Sequence, residues 1–94
     1  MLLLPATLTA REARDTLAML TQALAAEPAS GVSVDASGLQ QLDSAALAVL
    51  LECRRLALAW GKPFSIRQPP EKLSALARLY GVDELLLGSA AAAA

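Results

Sequence analysis

The sequence predicts an α/β fold, a small and mostly parallel β-sheet with helices packed on it. Three observations carry this. Short extended runs at Leu2–Leu4, Val32–Asp35 and Pro63–Arg67 alternate with three longer stretches of helical periodicity. That β-α-β-α-β-α order implies right-handed crossovers between parallel strands. The chain has 94 residues, is 55% hydrophobic and only 3% aromatic. That is enough for one domain with a modest core, and its Leu- and Ala-rich apolar mass favours helices. Residues 1–88 are therefore expected to form one domain, and the low-complexity stretch 89–94 to lie outside it.

The elements follow in order. Leu2–Leu4 reads as a strand ended by Pro5. Thr9-Ala10-Arg11-Glu12 has the pattern of a capping box, in which Thr9 accepts from the Glu12 amide and Glu12 reaches back. Ala13, Leu17, Leu20 and Leu24 then recur on one helical face until Pro28, and Ser30-Gly31 makes the turn. Val32-Ser33-Val34-Asp35 alternates as a strand does. Ala36 to Leu42 is expected to be a loop. Asp43 or Ser44 then caps a helix running to about Trp60, with Gly61 as its left-handed stop. Pro63–Arg67 is the third strand. Pro70 suits the start of a last helix with the stripe Leu73, Leu76, Ala77 and Tyr80, closed by Gly81. Val82–Leu87 reads as one more helical turn.

Composition removes several function classes. The net charge is -1, which offers nothing to nucleic acid or an anionic membrane. The absence of His removes the usual general base and the commonest metal ligand. Cys53 is the only cysteine, so no internal disulfide or thiolate cluster forms, and its apolar surroundings mark it as a packed hydrophobe. There is no Gly-rich phosphate loop. Asp35 and Asp43 flank one loop but are ordinary at a strand end and a helix cap. Neither catalysis nor a cofactor is expected. Three leucines before Pro5 are too few for a signal peptide. The most apolar helix carries Glu52, Arg54 and Arg55, so no membrane span is expected. These features together point to a cytoplasmic chain.

The helix from Ser44 is the most informative element. At 100° per residue one face collects Ala46, Val49, Leu50, Cys53, Ala57 and Trp60, a complete core stripe. The opposite face begins at Ser44 and carries Leu47, Ala48, Leu51 and Leu58, interrupted by Arg54 and Arg55, with Glu52 at its edge. Two readings of this outer face stand. It packs under a neighbouring helix or is scattered surface leucine, or it is a protein–protein interface of apolar anchors accompanied by Arg. The second is the expectation taken forward. A flat helix face is not a pocket, which disfavours direct lipid binding.

The run Val34-Asp35-Ala36-Ser37-Gly38-Leu39-Gln40-Gln41-Leu42-Asp43-Ser44 resembles the central segment of STAS domains, the anti-sigma-factor antagonists and their relatives. The likeness continues through the Leu/Ala helix, Gly61-Lys62-Pro63, Phe64-Ser65-Ile66, Pro70-Glu71-Lys72-Leu73 and Leu79-Tyr80-Gly81-Val82, with Leu4 to Thr9 similar to the strand before the first helix. The resemblance implies a small mixed, mostly parallel sheet with helices on one side. It also implies an N-terminal strand that this sequence starts too late to hold. The sheet is then smaller, or a second copy completes its edge by strand exchange in a homodimer. In the antagonists a Ser or Thr directly after Asp at the helix start is phosphorylated, and Ser44 matches that position. Ala45-Ala46 departs from the antagonist pattern of a following Gly, and a plain helix cap is the alternative role for Ser44.

The stretch Ala45 to Glu52 and the run Ala77 to Val82 look more like the MlaB-type members, subunits of a phospholipid-transporting ABC complex. That likeness implies an accessory subunit bound to the cytoplasmic ATPase, reaching the inner membrane only through the transporter. On this reading Leu47, Ala48, Leu51, Arg54, Arg55 and Leu58 form the partner interface, and Asp35, Ser37 and Asp43 shape the loop ahead of it.

Overall fold

A computed structural model describes residues 1–88 of the chain. The expected Ala tail, 89–94, lies outside the described residues. The elements are β1 (Leu2–Leu3), β2 (Thr7–Leu8), α1 (Ala13–Ala26), β3 (Val32–Asp35), β4 (Gln41–Leu42), α2 (Ser44–Ala59), β5 (Phe64–Arg67), α3 (Glu71–Leu79) and a π-helical turn at Glu84–Gly88. The α/β architecture is the one expected from the sequence, with all pairings parallel among the described residues.

The main sheet has the order β1-β3-β5. Leu2 pairs with Val34 and Val34 with Ile66, so the three point the same way and are buried together. The next row, Leu3, Asp35 and Arg67, points to the other face, where Leu3 and Arg67 are exposed and Ser33 and Ser65 lie only 3.4 Å apart. Alternation along each strand thus gives one core face and one polar, open face. The three helices bring the rest of the core to the buried face. Leu20 and Leu24 come from α1, Val49, Leu50 and Cys53 from α2, and Leu73 and Ala77 from α3.

Four sequence expectations need correction. The segment Ala36–Leu42 is not all loop, because β4 pairs with β2 in a second small sheet, Thr7 beside Gln41 and Leu8 beside Leu42. Two-residue strands show no alternation, so nothing in the local pattern marks them. The capping box forms only in part. Glu12 accepts from the Thr9 amide (2.9 Å) and hydroxyl (2.6 Å), but the Glu12 amide donates to the Thr9 carbonyl rather than to its side chain, and α1 begins later, at Ala13. Trp60 is not core. It is the last residue before the Gly61 stop and is 45% exposed. Tyr80, placed on the buried stripe of α3, is likewise exposed at the C-terminal end of that helix.

Both helix ends follow one recipe. Gly61 (φ 72°) and Gly81 (φ 73°) adopt the left-handed conformation that a side chain disfavours. The Lys62 amide then reaches the Ala57 carbonyl (2.8 Å) and the Val82 amide the Ala77 carbonyl (2.9 Å), which is the 6→1 bond of a Schellman motif.

Candidate docking surface on the second helix

Helix α2 is positioned from both ends. Asp43 is its N-cap: Oδ1 accepts from the Ala45 amide at 2.8 Å. The other oxygen, Oδ2, accepts from the Ala10 amide at 3.2 Å and so ties α2 to the turn before α1. Beyond the C-terminus, Lys62 is buried and its Nζ donates to the carbonyls of Leu24 (2.9 Å), Ala25 (3.3 Å) and Glu27 (2.7 Å). These carbonyls lie at and just beyond the C-terminal end of α1, where amide donors run out (that of Leu24 also accepts from the Glu27 amide at 3.2 Å), and α1 has no basic residue of its own in its last turn. The ammonium also lies 5.6 Å from the centre of the Trp60 ring. Nothing local in the sequence marks this lysine, because its partners are 35 to 38 residues away.

Ser44 is therefore not the helix cap. It is the first residue of α2 and is exposed. Asp35 shapes the preceding loop, its Oδ1 accepting from the Ser37 amide at 2.8 Å. That bond, with Arg67 beside it in register, holds the Asp35 carboxyl below its ordinary value.

The outer face of α2 differs from the expectation at one anchor. Leu47 is only 4% exposed and belongs to the core cluster together with Leu86 of the C-terminal turn. A residue 300° round the helix from Ser44 meets whatever follows α3, which the helical wheel does not know. Leu51 is half-buried, Ala48 is exposed, and Leu58 is 47% exposed. Arg54 is half-buried. Arg55 is exposed and already paired with Glu52 one turn back, Nε at 2.7 Å and Nη2 at 2.6 Å. That pair lowers the Glu52 carboxyl and raises the Arg55 guanidinium relative to their ordinary values.

Two shallow apolar hollows flank this face. One is lined by Ser44, Leu47, Ala48, Leu51, Tyr80 and Val82, the other by Ala13, Arg14, Leu17, Ala45, Ala48 and Val49. Their volumes, about 250 and 300 Å³, sit at or below the lower end for small-molecule sites, and both are open. Tyr80, Val82, Arg14 and Leu17 join the face only through tertiary packing. The single cysteine offers no chemistry here. Cys53 faces the core, and burial pushes its thiol up to about 11. No group of three His, Cys, Asp or Glu side chains among the described residues is placed to hold a metal ion. No described helix is long and apolar enough to cross a membrane.

The fold and this face together define a small α/β interaction domain whose exposed feature is a helix surface rather than a cleft. A family model described as "Mlab, STAS domain" matches residues 2–88, and the chain belongs to that family. Domains of this kind are typically non-catalytic accessory modules. No curated protein matches the sequence at a significant level.

Proposed function

We propose that this protein is an accessory subunit that docks on the cytoplasmic ATPase of an ABC-type phospholipid transporter, held at the inner membrane through that complex. One observation carries the reading. The outer side of α2 presents exposed Ala48 and Leu58 beside half-buried Leu51, next to a hollow that Tyr80 and Val82 complete. Each apolar anchor fully covered by a partner contributes roughly 1.5–3 kcal/mol before the costs of association. Arg54 is half-buried, and Arg55 is held in place by Glu52. Such a subunit shifts the ATPase between states only by its differential affinity for them.

The test is co-purification with the ATPase subunit. Ala48→Glu and Leu51→Asp are expected to abolish it while the circular-dichroism spectrum stays native. Recovery at wild-type yield with both variants overturns the reading.

A second reading, a serine-phosphorylated anti-sigma-factor antagonist, is favoured by one observation. Asp43 takes the capping role, which leaves the Ser44 hydroxyl exposed at the helix start. Phosphate there meets the positive end of the helix dipole, beside an Ala45 amide already taken by Asp43. Intact mass after incubation with ATP and a cognate kinase separates the two readings, because only this one expects a phosphorylated species.

A further inference from the structure

The two hollows beside α2 share one residue, Ala48, and this places a second contact area on the α1 side of the helix. We infer that the hollow between α1 and α2 is a separate subsite of the docking surface, one that takes an apolar side chain of the partner flanked by a carboxylate. The inference rests on the docking reading above and specifies what the partner must present.

Ala13, Leu17, Ala45, Ala48 and Val49 make the lining apolar, and Arg14 is its only charged member. Ala45 and Ala48 are short, so a side chain descending between the helices meets a methyl floor with Leu17 as one wall. A partner element that covers the Leu51 hollow crosses Ala48 and continues into this one without lifting off the surface. The nearby acids of the chain are already engaged. Glu12 accepts from Thr9, Asp43 from the Ala10 and Ala45 amides, and Glu52 from Arg55. Asp15 follows Arg14 about 100° round the helix. Arg14 is exposed, and no acidic side chain among the described residues pairs with it. A guanidinium beside an apolar hollow selects a carboxylate, and the bidentate geometry open to Arg makes it a discriminating contact.

The test uses the full chain and the purified ATPase subunit in a titration at low and high salt. Arg14→Glu is expected to weaken binding by a factor of ten or more at low salt and to lose the salt dependence seen with the wild type. Arg14→Lys is expected to keep the salt dependence but to bind more weakly than the wild type, because an ammonium cannot reproduce the bidentate contact. Ala45→Phe, which fills the hollow, is expected to weaken binding without altering its salt dependence, and melting curves check that each variant is folded. Wild-type affinity for folded Arg14→Glu and Ala45→Phe, in a preparation where Leu51→Asp fails to bind, overturns the subsite and leaves the docking reading standing. Wild-type affinity for all of them, Leu51→Asp and Ala48→Glu included, overturns both.

Discussion

The two ends of α2 are each tied to the first helical region by one charged side chain, the start to the turn before α1 and the far end to the C-terminus of α1, and the ties differ in kind. At the start, Asp43 is exposed and accepts two amides, one from its own helix and one from Ala10. At the end, Lys62 is buried and donates to three carbonyls of another helix's terminus. A buried charge survives only when its hydrogen bonds are satisfied, so Lys62 is committed to one geometry. Asp43 sits in water and tolerates loss more cheaply. The closed end holds the fold together. The open end carries Ser44, Ala48 and the hollows, where a partner has room to approach.

This contrast is broken most directly at the buried end. Lys62→Met keeps the stem and removes the ammonium, and with it the three hydrogen bonds to the end of α1. A loss of roughly 2–3 kcal/mol is expected in denaturant unfolding. A loss no larger than that of an exposed substitution refutes the idea that this end is the firmer one. Asp43→Ala is expected to cost about 1 kcal/mol, the ordinary value of a helix cap. The two sites are separated by the length of α2, about 24 Å. The double variant is therefore expected to be additive within about 0.5 kcal/mol.

Acid sharpens the comparison, because it acts on the open end. Glu12 lies beside the Ala10 contact, and its hydrogen bonds from Thr9 hold its carboxyl below the ordinary 4.5. A lowered folded-state value favours the carboxylate. Its contribution is present above pH 4.5 and is lost as pH falls through the folded value. Glu12→Gln is expected to flatten that acid limb in melts taken from neutral pH down to about pH 3. Hydrogen exchange is expected to quicken first at the start of α1 and last around Leu24.

The smallest effect is expected at Cys53, midway between the ends. Burial raises its thiol to about 11, with the Glu52 charge adding to the shift. Thiolate is scarce at neutral pH, and alkylation of the native protein is expected to be far slower than of the unfolded chain. Rapid native labelling means that α2 opens along its length rather than at one end.

How much was legible in the sequence varies by element. Val32–Asp35 and Phe64–Arg67 were readable because alternation over four residues has only one good explanation. The core stripe of α2 held from Ala46 to Ala57 and failed at Trp60, where the helix had already ended. The candidate site was half readable. Ser44, Ala48, Leu51 and Leu58 lie on the outer side, whereas Leu47 is covered within the same chain. That Arg14, Leu17, Tyr80 and Val82 border this face was invisible in the sequence, since each reaches it only through tertiary packing.

Periodicity, the order of elements and their stops are written into the chain locally, because backbone propensity and turn chemistry act over a few residues. Which apolar side chains stay uncovered, and which charge becomes a buried clasp, is settled when the elements pack together. Those outcomes depend on what packs beside a helix. For Lys62 and Leu47 the neighbours lie tens of residues away along the chain.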